Sequence, residues 1–407
     1  MIRDSAAGMR RHDPTLRRGA APFGKRPALT ITSLLRPAAL SGLIAACLPG
    51  MARAQDASAA LQPVLLQPPA TQPPAPECVM SSARARAVHL ARSLQDGFAV
   101  QYWGTTYDAD TLSRQPHGLL ILEVTRIGAP YSDTGREVLF TPEEMAKINR
   151  NGARPALGYL NVSEIEHYRD YWIDQMGGID VAPPAVLPDW YGPTTVHKEH
   201  LSAFWTEAWH KIILERVDRL MGTGIDGLFL DDVLHYYSHA MDKTLVWPQG
   251  KRPDGPADAP AMAREMMRLV GLVADRARQW KCDAYVVVNN GVFIGRDAAG
   301  GADPRGRAAF SDYLDRIDAI MVENVSAPST HAHTTEALQE DYRSQGVAVL
   351  SLDIATQFPD QKPEELRALI AQKASETGFY PYVTADNVFN QVYPPMRTAP
   401  PAPAAPE

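Results

Sequence analysis

The chain has 407 residues, 45% of them hydrophobic, which suffices for one large domain or two small ones. The composition excludes collagen-like, coiled-coil and wholly disordered classes. The formal charge is −7, but residues 1–54 carry nine Lys/Arg against two Asp, so residues 55–407 sum to −14. A body that acidic is a poor partner for nucleic acid or anionic membranes and suits neutral or cationic ligands.

The N-terminus reads as an export signal. Arg3, Arg10, Arg11, Arg17, Arg18, Lys25, Arg26 and Arg36 precede an apolar run from Pro37 to Leu48, and Ala52-Arg53-Ala54 supplies a small-x-small cleavage site. The apolar run is too short for a permanent membrane span. Ile44-Ala45-Ala46-Cys47 has the look of a lipobox, so a lipid anchor at Cys47 is the alternative to cleavage after Ala54. Both routes place the protein outside the cytoplasm, secreted or periplasmic. Residues 55–79 form a Pro-rich linker and residues 394–407 a Pro-rich tail, both expected to be extended and unpacked. The folded unit is expected over residues 80–393. Cys78 and Cys282 remain beyond the signal; they either pair in an oxidising compartment or stay free, since spacing alone does not settle it.

Within the folded unit, eight short apolar runs predict strands at Phe98–Trp103, Leu119–Val124, Arg154–Asn161, Gly227–Asp231, Ala284–Asn290, Ala319–Glu323, Val347–Asp353 and Phe379–Val383. Amphipathic helices are clearest at Phe204–Met221, Ala261–Lys281, Thr335–Gln345 and Pro363–Thr377. Strict alternation of strand and helix predicts a parallel sheet, and eight repeats allow closure into a single (β/α)8 barrel. A doubly wound open sheet is the alternative, but no GxGxxG turn follows the first strand.

The strands are apolar until their C-terminal ends, where they meet Tyr102-Trp103, Glu123, Tyr159 with Asn161, Asp231-Asp232, Asn289-Asn290, Glu323-Asn324, Asp353, and Tyr380 with Tyr382. In such barrels that rim carries the active site. Glycosidic cleavage needs two carboxyl groups across the scissile bond. Asp231 closes strand four and Glu323 closes strand six, each after four apolar residues. Alternate strands share a layer inside the barrel, so both carboxylates can face one space. Alternation alone leaves Asp231 and Asp232 both eligible to point inward. Aromatics near the strand ends, including Trp172, Trp190, Tyr191, Tyr236 and Tyr237, are candidates to stack on pyranose faces.

The stretch Leu157-Gly158-Tyr159-Leu160-Asn161-Val162-Ser163-Glu164-Ile165-Glu166, followed by Tyr168-Arg169-Asp170-Tyr171-Trp172, resembles glycoside hydrolase family 114. The likeness continues through Phe204-Trp205, Trp209, Gly227–Asp231, Asn289-Asn290-Gly291, Val322-Glu323-Asn324, Leu352-Asp353 and Gly378–Tyr382, about residues 97–385. That family comprises endo-α-1,4-polygalactosaminidase-like barrels and is related to the hydrolase domain that cleaves Pel polysaccharide. The resemblance implies a retaining endo-hydrolase with Asp231 as nucleophile and Glu323 as acid/base. It further implies Tyr159, Glu164, Asn290, Asp353 and Tyr382 as sugar contacts, and Tyr102, Glu123 and Asp232 join them as substrate-binding candidates from their place at the strand ends; a cationic amino-sugar polymer would suit the −14 charge. Two positions depart from it: Leu234 stands where relatives often carry an acid, and Glu123 where they carry aspartate.

No cofactor and no metal is called for. A metal-dependent hydrolase is the rival reading, because His235 and His239 stand four apart beside Asp231 and Asp232, and His331-x-His333 follows strand six. It lacks an HxH pair on strand one and any Cys-rich ligand set. A non-catalytic barrel that binds polysaccharide is the other alternative. Neither a G-x-S-x-G elbow nor a Walker-type loop occurs.

Overall fold

The computed structural model describes residues 82–126, 135–178, 186–196, 198–300, 303–327 and 330–397. The expected signal, linker and Cys47 lie outside them, as does Cys78; Cys282 is disulfide-bonded. Among the described residues, no helix is long and apolar enough to cross a membrane.

Eight parallel strands form one sheet in chain order: β1 (Phe98–Gln101), β2 (Leu119–Leu122), β3 (Ala156–Asn161), β4 (Gly227–Asp231), β5 (Tyr285–Asn289), β6 (Ala319–Glu323), β7 (Ala348–Ile354) and β8 (Tyr380–Thr384). The sheet curls until β8 meets β1, where the Phe98 and Tyr382 rings stand 5.3 Å apart. The chain is a (β/α)8 barrel. Every predicted strand is present, most of them trimmed by one or two residues at an end.

The helices in chain order are α1 (Ala83–Leu94), α2 (Ala109–Arg114), α3 (Pro142–Ile148), α4 (Asp170–Met176), α5 (Glu207–Met221), α6 (His235–Met241), α7 (Ala259–Trp280), α8 (Ile294–Ala299), α9 (Pro304–Arg316), α10 (Ala332–Ala337) and α11 (Pro363–Thr377). Their boundaries follow local chemistry. Thr206 caps α5 by accepting from the Trp209 amide, and Asp258 caps α7 by accepting from the Ala261 amide at 2.8 Å. The buried face of α5 runs through Trp209, Ile212, Ile213, Val217 and Leu220, spaced three and four apart. Its Trp209 indole donates to the Val162 carbonyl at 2.8 Å, which locks the helix over the end of β3.

The helix expected over Thr335–Gln345 differs. It begins at Ala332, loosens into a π turn over Leu338–Tyr342 and tightens into a 3₁₀ turn over Arg343–Gln345. Leu338 and Tyr342 are both fully buried, and the Tyr342 hydroxyl donates to the Val292 carbonyl at 3.0 Å. At the C-terminus, packing runs past the expected boundary to Met396, which is buried beside Phe358 and Ile370.

Candidate active site at the barrel mouth

Strand register decides which polar residues enter the barrel. Paired residues on neighbouring parallel strands share a face, and faces alternate along each strand. Asn161 pairs with Asp231, Asn289 with Met321, Glu323 with Leu352, and Leu352 with Tyr382. Those residues therefore face inward. One step along β7, Ser351 and Asp353 face outward.

Three consecutive strands end the same way. Asp231, Asn289 and Glu323 close β4, β5 and β6 with side chains inward, and Asp232, Asn290 and Asn324 follow at φ of 62°, 60° and 56°. A left-handed residue there turns the chain away from the mouth, and Asp and Asn are the non-glycine types that tolerate it. Each reaches sideways along the rim. Asn290 Oδ1 accepts from the Glu323 amide at 3.3 Å, and Asn324 Oδ1 accepts from the Ile354 amide at 2.9 Å. Asp232 meets the loop after β3, accepting from Asn161 Nδ2. The Asp231-or-Asp232 ambiguity is thereby resolved: Asp231 is the inward one, buried to 2% exposure.

The centre of the site is a single amide. Asn289 Nδ2 donates to Asp231 Oδ1 at 2.8 Å and to Glu323 Oε1 at 3.1 Å. Two oxygens on one nitrogen at those lengths lie about 5 Å apart when each takes one amide proton, in the range of a retaining glycosidase pair, ~5–5.5 Å. Asp231 Oδ1 also accepts from the Asp232 amide at 2.9 Å. Two N–H donors therefore fix that oxygen in place. Glu323 is less buried, with access to the mouth.

Around this pair, Tyr102 packs on Tyr159 at 4.8 Å between ring centroids, and both line the inner wall. Glu123 is inward but clamped: Arg169 Nη2 donates to it at 2.7 Å, and the Thr125 amide and hydroxyl take its other oxygen. Glu164 stands on the β3 loop beside Asp232 and within 3.4 Å of Asn161 Nδ2.

Three of the expected sugar contacts have their side chains engaged elsewhere. Asn290 spends its side chain on the β6 backbone. Tyr382 is inward but fully buried in the barrel floor, its hydroxyl accepting from the Tyr393 amide at 2.9 Å. Asp353 faces the helical layer, accepting from the Ser326 amide at 3.1 Å and from the Ser351 hydroxyl. The hollow there is bordered by Ser351 and by Lys373, Ala374 and Thr377 of α11. Strand alternation explains Asp353, since a polar residue near a strand end has even odds of facing out; Tyr382 faces in but lies deep, and Asn290 is turned by its left-handed backbone. Trp172, Trp190 and Tyr236 are core residues, whereas Trp103 and Tyr237 are 44% and 47% exposed.

Burial raises the Asp353 carboxyl to about 6, against the hydrogen bonds from Ser351 and Ser326 that favour its charged form. A raised carboxyl destabilises the fold progressively as pH climbs from about 4 to 6. Asp353→Asn is therefore expected to change the melting temperature more favourably at pH 7.5 than at pH 4. Melting curves of both proteins at the two pH values check this.

The histidines separate. His239 Nε2 lies 2.9 Å from the Ser202 carbonyl, its ring wedged against Trp205 and Trp247, and burial lowers it to about 3. His331 and His333 stack on each other at 5.3 Å on the surface. Of these four histidines, His235 approaches a carboxylate at the rim, with Nε2 3.7 Å from Asp232 Oδ1.

Fold and site together define a (β/α)8 barrel with two amide-bridged carboxylates at its C-terminal mouth. No family model matches the chain. It is 25% identical over 303 residues to an uncharacterized protein of Deinococcus radiodurans, covering 70% of this chain and 80% of that one. It is 24% identical over 284 residues to an uncharacterized protein of Thermotoga maritima, covering 65% and 78%. Among solved structures it is similar to Aspergillus fumigatus Ega3 in complex with galactosamine, at 12% identity and a TM-score of 0.48 over 74% of this chain and 95% of that one. It is also similar to the glycoside hydrolase domain of PelA from Pseudomonas aeruginosa, at 15% identity and a TM-score of 0.45 over 73% and 97%.

Proposed function

We propose that the chain is an exported retaining glycoside hydrolase that cleaves an α-1,4-linked galactosamine-type polysaccharide internally. The observation that carries this reading is Asn289 bridging Asp231 and Glu323 through one nitrogen. In the first step the Asp231 carboxylate attacks the anomeric carbon while Glu323 protonates the departing glycosidic oxygen. In the second, Glu323 takes a proton from water, the water oxygen bonds to the anomeric carbon, and Asp231 leaves as carboxylate. Asn289 orients both acids before attack. The sugar class rests on the sequence resemblance and on the −14 charge of residues 55–407, which suits a polyamine.

The test is incubation of the purified protein with partially deacetylated galactosamine polymer and, in parallel, a panel of α-glucans. Oligomers of mixed length from the amino-sugar polymer are expected. Intact polymer, or cleavage of glucans alone, contradicts the reading.

Trp103 stands at the rim, half-exposed yet fixed by its indole donating to the Val388 carbonyl at 2.9 Å. An immobilised, exposed indole is a ready platform for a pyranose face. Trp103→Ala is expected to raise KM for polymer several-fold, roughly the effect of 1 kcal/mol, with kcat little changed. Steady-state kinetics on polymers of defined length measure the split.

A further inference from the structure

We infer that Glu164, Asp232 and His235 Nε2 form a binding site for one divalent transition cation of the Zn²⁺ class. The ligand atoms of these three residues lie within 4.8 Å of one another. His235 is buried to 5% exposure, and its Nδ1 is held by Ser238 Oγ at 3.1 Å. Its Nε2 is buried without a hydrogen-bond partner and aims into the acidic pair. The 3.7 Å to Asp232 Oδ1 is too long for a hydrogen bond. It is close to the separation of two ligands on a shared cation, about 3–3.5 Å for bonds of ~2.0–2.1 Å.

The surroundings hold the site ready. Asn161 Nδ2 donates to Asp232 and lies 3.4 Å from Glu164 Oε2, so one amide orients both carboxylates. Asn161 Oδ1 in turn accepts from the Ser163 and Glu164 amides at 3.1 and 2.7 Å. Ser163 Oγ donates to the Asp232 carbonyl at 2.6 Å, pinning a residue already in the left-handed conformation. A second ring nitrogen fixed by a neighbour is the usual arrangement for a ligating histidine. One imidazole with two carboxylates favours Zn²⁺ or a neighbouring transition ion over Ca²⁺ and Mg²⁺, which prefer oxygen alone. A bound cation would tie the loop after β3 to the one after β4.

The inference is independent of the hydrolase reading, because its test needs no substrate. The full chain, stripped with chelator, is titrated calorimetrically with ZnCl₂, MnCl₂ and CaCl₂, and its melting temperature is followed. One equivalent of Zn²⁺ with a rise in melting temperature is expected. His235→Ala and Glu164→Gln should each weaken Zn²⁺ binding at least about tenfold, while a His331→Ala/His333→Ala double variant should leave it unchanged. Melting of each metal-free variant reports its folding, and the near-isosteric Glu164→Gln decides the matter if His235→Ala does not fold. Equal Zn²⁺ affinity in wild type and Glu164→Gln, loss of binding in the His331/His333 variant, or preference for Ca²⁺ would overturn the site.

Discussion

Asp231→Asn and Glu323→Gln should each lower turnover of galactosamine polymer by about 10³-fold or more while leaving polymer binding within a few-fold of wild type. Both substitutions keep shape and remove charge or proton. They fail differently. With Asp231→Asn no nucleophile remains, so activity falls on every substrate. With Glu323→Gln the leaving group goes unprotonated, so an aryl glycoside with an acidic phenol, which needs little protonation, should lose less than the polymer does. Initial rates on both substrates, beside a polymer-binding assay, distinguish the roles. A barrel that only binds polysaccharide shows no turnover even before substitution. Equal losses on both substrates for Glu323→Gln would remove its assignment as acid.

Arg169→Met should be the most destabilising substitution near the site, costing about 3–5 kcal/mol. Arg169 is fully buried and donates to Glu166, Glu137, Glu123 and the Thr125 hydroxyl at 2.7–3.1 Å. Burial pushes Glu137 up, but Arg216 and Arg169 outweigh it and hold that carboxyl well below its usual range. Removing the guanidinium leaves Glu123 and Glu166 without their arginine and Glu137 to Arg216 and, at 3.5 Å, Arg219. A drop in melting temperature on the order of 10 °C is expected. Glu123→Gln or Glu166→Gln in the Arg169→Met background should restore part of it, since each removes an unpaired charge. A depressed Glu137 contributes stability above about pH 4 that is lost as pH falls further, so the wild-type melting temperature should fall in acid and Arg169→Met should show a shallower acid limb. Thermal melts from pH 3 to pH 7 check both statements. Because Arg169 also clamps Glu123 beside Tyr159, the variant should lose some turnover at temperatures where it is still folded.

The barrel was readable because its signal is repetitive. Eight apolar runs, each followed by a helical period, have few other solutions. The carboxylate pair was readable for a related reason, as Asp231 and Glu323 each end an apolar run. The same rule singles out Asn289 after Tyr285–Val288, yet an amide carries no acid–base signature and its neighbour Asn290 drew the attention. What the rule cannot supply is facing. Asp353 follows the run of β7 but sits one step out of phase, which register reveals and composition does not. The left-handed residues at 232, 290 and 324 were also invisible, since nothing local distinguishes an Asn that continues a strand from one that turns off it. Glu123 and Arg169 lie 46 positions apart, and no periodicity links them. His235 and His239 show the reverse case: helical spacing joined them, and packing against Trp205 and Trp247 drew His239 away.

Proton NMR of the first products of polymer cleavage, recorded before the anomers equilibrate, tests the account most directly. Two carboxylates bridged by one amide stand at about the ~5–5.5 Å spacing of a retaining pair, so the newly formed reducing end should appear in the configuration of the bond that was cut, α from α. Products that appear first as the β anomer would contradict Asp231 as nucleophile, and with it the account of the mouth of this barrel.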